Sequence, residues 1–150
     1  MFRSRLLCLI REEAEKAGYD FHNGFLYRIS RSNLRFPALW MEPPILTGVE
    51  GRDEGLLTYH VTLHLMTSDR KYPETEKEAQ WETMEARTLE LLRNLTARKE
   101  IFHIGKIGCT PSEYALTNRG ELSLKAEFDV RFAFPYEPSA DEAAGHTTNS

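Results

Sequence analysis

The chain reads as an α+β protein, with two helices packed on one face of a mainly antiparallel sheet of about five strands, in the order α-β-β-β-α-β-β. Three observations lead there. Apolar residues recur at spacings of three and four in two stretches, 4–17 and 75–95. They alternate with polar residues in two others, 57–66 and 122–134. The 150 residues hold no internal repeat, which makes 1–136 one domain followed by a tail.

Residues 4–17 form the first helix: Leu6, Leu7, Ile10, Ala14 and Ala17 make the apolar stripe, and Arg11, Glu12, Glu15 and Lys16 fall largely outside it. Gly18 then supplies a C′ residue that tolerates positive φ. The turn signal Asn23-Gly24 opens a short strand, Phe25–Ile29, and Ser30–Asn33 leads to a second near Phe36–Glu42. Pro37 cannot donate to a ladder, so that strand belongs at an edge or a bulge. Pro43-Pro44 ends it. The stretch to Gly55 mixes Gly48, Gly51, Glu50, Arg52, Asp53 and Glu54 with the apolar Ile45, Leu46 and Val49. It reads as a long loop, either functional or poorly ordered.

Leu57, Tyr59, Val61, Leu63 and Leu65 alternate with Thr58, His60, Thr62, His64 and Met66, a strand with one wet face. The second helix follows Pro73, with Thr75 and Glu78 as a capping box and Trp81, Met84, Thr88, Leu91 and Leu95 as the stripe. Its acids lead and its bases trail, which suits the helix dipole. Ile101–Cys109 is the fourth strand, and Gly105 and Gly108 predict a bulge within it. The fifth is the clearest. Leu122, Leu124, Ala126, Phe128, Val130, Phe132 and Phe134 alternate with Glu121, Ser123, Lys125, Glu127, Asp129, Arg131 and Ala133. Pro135 stops it, and Glu137–Ser150 is a polar tail expected to be disordered.

Composition narrows the function classes. With 19 basic against 23 acidic residues the net charge is −4, unlike a generally basic nucleic-acid binder. Arg28, Arg31 and Arg35 lie around Tyr27 and Phe36, but no RNP-like pattern accompanies them, and they read as a loop rim without specific nucleic-acid binding. The run Leu6–Ile10 is too short for a secretory h-region or a membrane span, so the expected setting is the cytoplasm, with free thiols at Cys8 and Cys109. The sequon at Asn94 lies on a helix and reads as chance.

The search for chemistry finds no reaction. His60 and His64 are four strand residues apart, about 13 Å, too far to share a metal ion. His103 and Cys109 are about 20 Å apart on one strand, too far for a nucleophile and base without a sharp bulge. Gly105-Lys106-Ile107-Gly108 lacks the following helix that would cradle a phosphate. Glu127 and Asp129 alternate with Lys125 and Arg131 as a solvated or intersubunit sheet face. The expectation is a protein without enzymatic activity, cofactor or metal.

A leading helix, three strands with a long connection, a second helix, two closing strands and a tail resemble the tail-terminator and tail-completion proteins of long-tailed bacteriophages. The segments concerned are Leu6–Ala17, 43–55, Leu57–Met66, Thr75–Leu95 and Leu122–Phe134. The resemblance is one of architecture and brings no site residues with it. It implies a non-enzymatic, ring-forming subunit at the head-to-tail junction of a virion, or of a prophage-encoded particle, assembled in the cytoplasm with other tail or neck proteins. A mildly acidic subunit would suit a channel that passes DNA without holding it. On that reading, Ile45, Leu46 and Val49 form one contact patch, and Lys125, Glu127, Asp129 and Arg131 form a second. The alternative is a small-molecule or peptide-binding domain with a pocket under the 43–55 segment.

Overall fold

A computed structural model describes residues 2–51, 55–67 and 70–134; the expected tail at 137–150 lies outside the described residues. Helix α1 (Phe2–Lys16) turns Leu6, Leu9, Ile10 and Ala14 inward, while Leu7 and Ala17 of the expected stripe sit half-buried at its margin. Gly18, at φ 92°, ends it in the left-handed conformation that glycine tolerates. The Arg87 guanidinium then donates to the Ala17 carbonyl at 2.8 Å, satisfying a carbonyl left unpaired at the helix end. Arg87 belongs to helix α2 (Glu74–Thr96), which buries Met84, Thr88, Leu91, Leu92 and Leu95. The expected Thr75–Glu78 capping box does not form. Pro73 is the N-cap in extended conformation, so Thr75 already lies in the first helical turn.

Strands β4 (Gly55–Met66) and β6 (Ser123–Phe134) form the centre of the sheet, antiparallel over their whole length from Gly55↔Phe134 to Met66↔Ser123. Strand β5 (Ile101–Ser112) lies beyond β6. Two strands share the other side of β4: β2 (Ala38–Met41) pairs with residues 63–66 and β3 (Ile45–Gly51) with 55–60. Outside β2, and parallel to it, runs β1 (Asp20–Asn23). The sheet is mainly antiparallel and has six strands rather than five.

Three expectations are corrected. Phe25–Ile29 is no strand: Leu26–Arg31 is a 3-10 helix, and the strand lies earlier, at Asp20–Asn23. Four residues carry no readable alternation, and β1 exists because β2 offers it a partner. Pro37 is not in an edge strand. It precedes β2, which lies between β1 and β4, and after a cis Phe36–Pro37 bond its carbonyl accepts the Asp20 amide at 3.0 Å. Finally, most of the 43–55 segment is strand rather than loop. Of the 12 residues of β4 the short β2 pairs only four, and the unpaired remainder is a template for β3.

Both helices pack on one face of this sheet, over Leu57, Tyr59, Val61, Leu63 and Leu65 of β4 and Leu124, Ala126, Phe128, Val130 and Phe132 of β6. Emptying the fully buried Phe128 site to alanine costs about 3–5 kcal/mol. Among the described residues the opposite face is covered at one end only, where Ile29 and Leu34 pack on Ala38, Trp40 and Met66. That cover buries His64 and Met66, so the wet face of β4 ends at Thr62. The alternating polar row of β6 is also buried where it begins. Glu121, fully buried, accepts from the Leu116 amide at 2.7 Å, the Thr117 amide at 3.1 Å and the Thr117 hydroxyl at 2.5 Å.

Candidate functional site

Pairing across the sheet sets up rows of neighbours on its open face. One row runs Ile45, His60, Asp129, Gly105; the next runs Gly48, Thr58, Arg131, His103. His60 occupies the middle. Its Nδ1 lies 3.0 Å from Asp129 Oδ1 and its Nε2 3.1 Å from Glu127 Oε1. Ionised carboxylate oxygens only accept, so both contacts are satisfied together when both ring nitrogens donate, an arrangement that favours the cationic imidazole. The Asp129 bond, with Glu127 adding to it and partial burial opposing, raises the His60 pKa above its ordinary value. The same contact, with Lys125 nearby, holds the Glu127 carboxyl below its ordinary value.

The four charges of β6 read from sequence as a contact patch therefore have partners inside the chain. Lys125 Nζ is 3.4 Å from Glu127, Glu127 and Asp129 flank His60, and Arg131 reaches Glu50 of β3 at 3.1 Å. They tie β3, β4 and β6 together. His60 shares this open face as expected, but His64 does not face solvent: it is 5% exposed and 2.6 Å from Glu42. A covered sheet end gave no signal in the alternation.

The apolar patch is divided by strand pleating. Ile45 stands opposite His60 on the open face, whereas Leu46 opposite Tyr59 and Val49 opposite Leu57 point to the helical face. All three are exposed, at 59%, 49% and 55%. They lie on β3, which among the described residues has a strand on one side only. Sequence reasoning missed the opposite edge. There β5 exposes Phe102 and Ile107, and its ladder is broken between Ile101 and His103 and again between Gly105 and Gly108. The second break is the one the glycines predict, and it places Lys106 at φ 55°. Pro111 removes one further donor from this strand.

Elsewhere the candidates separate. Cys8 and Cys109 are free thiols, and burial pushes the Cys109 thiol up. Arg28 lies over Tyr27, and the Arg35 amide donates to Asp20. No group of three or more His, Cys, Asp or Glu among the described residues is arranged to hold a metal ion. No helix among them is long and apolar enough to cross a membrane. A cleft of about 460 Å³ opens between Arg3, Ser4 and Leu7 of α1 and the ends of β1 and β2, at Asn23, Gly24 and Glu42 to Pro44. It lies at the start of the 43–55 segment, beside α1. The chain matches no family model and no curated protein.

Proposed function

We propose that the chain is a non-enzymatic structural assembly subunit that forms a ring with copies of itself, in the manner of a phage tail-terminator or head-tail junction protein. One observation carries this. Among the described residues, five of the nine exposed large apolar side chains sit on two of the three edge strands: Ile45, Leu46 and Val49 on β3, and Phe102 and Ile107 on β5. Exposed apolar groups gathered at strand edges favour a partner surface over a solvated one. Because β3 and β5 lie on opposite sides of β4 and β6, they are two different patches, which a head-to-tail ring requires. The plan of a leading helix, a group of strands, a second helix and two closing strands supports the viral reading, with four strands rather than three before the second helix, and a place in the virion beside tail or neck proteins follows from that reading.

The test is native mass spectrometry and negative-stain imaging of the purified chain, alone and with the tail or neck proteins encoded beside its gene. Closed rings of one copy number are expected. Monomers under every condition, or a gene with no portal, capsid or tail genes around it, would refute the reading. The cleft beside α1 supports the second reading, a small-ligand or peptide site, since its volume falls in the range of such pockets. A rise in melting temperature with one ligand class from a small-molecule and peptide screen, lost in Arg3→Glu, would favour it.

A further inference from the structure

Of the three outermost strands, β1, β3 and β5, the last two differ in a way that selects between possible strand pairings. From Ile45 to Gly51, β3 carries one charge, Glu50, and exposes three apolar residues. From Ile101 to Ser112, β5 contains no carboxylate; its one lysine, Lys106, has no ion-pair partner among the described residues, and it exposes Phe102 and Ile107. Pairing β3 with another β3 offers Glu50, which Arg131 of its own chain holds at 3.1 Å, no further cation. Pairing β5 with another β5 brings Lys106 near its own copy and sets two irregular ladders against each other. Only the mixed pairing joins opposite charges, and it places apolar residues on both partners.

Strand direction agrees. Each of the pairs β3–β4, β4–β6 and β6–β5 is antiparallel, so β3 and β5 run in opposite senses. A rotation about a ring axis aligned with the strands preserves each strand's sense. The β3 of the next subunit then meets β5 antiparallel, the stronger of the two ladders.

We infer that β3 of one copy pairs antiparallel with β5 of the next, so that the sheet continues from subunit to subunit around the assembly. This rests on the ring-subunit reading and names its contact. A seven-residue strand spans about 23 Å and covers far less than the roughly 800 Å² per partner of a standard interface. One such contact is therefore weak in solution and is completed by ring closure or by a template. The breaks, Lys106 and Pro111 on β5 blunt that edge against any strand that does not match it, which guards the monomer from open-ended polymerisation.

Two single-cysteine chains test this, Val49→Cys and Ile107→Cys, each in a Cys8→Ala, Cys109→Ala background and each checked for a wild-type-like melting curve. Mixed at high concentration with a short bis-maleimide, they should give several-fold more mixed dimer than either chain gives alone. Lys106→Glu in the second chain should cut that yield, and Glu50→Lys in the first should restore it. A Val49→Cys self-dimer as abundant as the mixed product would overturn the pairing, as would a yield no higher than that of a Leu89→Cys control on α2. If the cysteine-free background does not fold, a photo-crosslinking residue at position 49 of the otherwise wild-type chain reads the same contact by mass spectrometry. Rings that form without this cross-link overturn the pairing and leave the ring reading. Cross-linked open chains without closed rings do the reverse.

Discussion

Strands β3 and β5, which flank the central β4–β6 pair, are built on opposite principles. Strand β5 is long, but it is twice broken and carries a lysine in a left-handed conformation and a proline, features that discourage another strand from adding. Strand β3 is short and has a single break in its pairing with β4, yet it exposes three apolar side chains and has no lysine. The difference teaches that exposure alone does not make an edge adhesive. What matters is whether the backbone is regular enough to offer a ladder and whether side-chain charge permits approach. On the proposed reading one edge is open and the other selective, which is what a subunit needs if it must stay apart until assembled.

The largest expected effect lies on the β5 side. Glu121 organises residues 116–121, the approach to β6, from a fully buried position. Glu121→Ala leaves two amides and a hydroxyl without their acceptor in an interior that water does not reach. About 3 kcal/mol of stability should be lost, measured by urea denaturation. Hydrogen exchange should rise in β5 and the start of β6 and stay unchanged in β3. Equal loosening of both edges would mean that they are not independent.

The corresponding break on the β3 side is Gly55→Ala. A β-carbon at Gly55 would come within 1.6 Å of the Glu50 carbonyl oxygen, a backbone atom, so the end of the β3–β4 hairpin must open. About 2 kcal/mol is the expected cost, with amide protection lost from β3 while β5 keeps its own. A variant as stable as wild type and equally protected would show that the hairpin closes in some other way.

These two positions also mark where the sequence was legible. Strands β4 and β6 could be read, though not their pairing, because each buries one face along most of its length, so every second residue is apolar. Helix α2 could be read for the same reason at a period of 3.6. Strand β3 could not: both of its faces are exposed, so Ile45, Leu46 and Val49 follow no period of two, and Gly48 and Gly51 read as loop. It is a strand because β4 outruns β2, a fact about another part of the chain. Strand β1 depends in the same way on β2. Among the site residues, Lys125, Glu127, Asp129 and Arg131 were correctly placed on one face. That they hold His60 and Glu50 was not readable, because partners separated by 67 to 81 positions leave no local trace.

Midway between the edges, His60 gives a smaller effect with a defined sign. Its folded pKa is raised above the unfolded value of 6.5. Its contribution to stability is therefore fully present below pH 6.5 and is lost as pH rises through the folded pKa. Once neutral, the ring has one donor for two carboxylates. Wild type should lose melting temperature as the pH rises above 6.5 relative to His60→Gln, in which this slope is absent. Parallel curves for the two proteins would remove His60 from the account of how β4 and β6 are held together.

The smallest effect on stability should accompany the greatest effect on association. Leu46→Asp with Val49→Asp alters two side chains that are already about half exposed, on a strand with no outer neighbour among the described residues. Aspartate's poor fit to a strand should cost about 1 kcal/mol or less per site. Burial on the other side of β3 depends on backbone pairing with β4, which neither change removes. Sedimentation velocity, alone and with a tail or neck partner, should nonetheless show self-association abolished. Phe102→Asp with Ile107→Asp makes the equivalent change on β5, and if β3 of one copy meets β5 of the next the two double variants should fail alike. Neither should assemble alone, and their mixture should give at most weak dimers, trapped by cross-linking, that grow no further. In such a mixture the intact β5 of the first variant can still accept the intact β3 of the second, and every other contact is blocked. Continued growth of the mixture, or wild-type assembly by either double variant, would show that the edges of this sheet are not where the subunits meet.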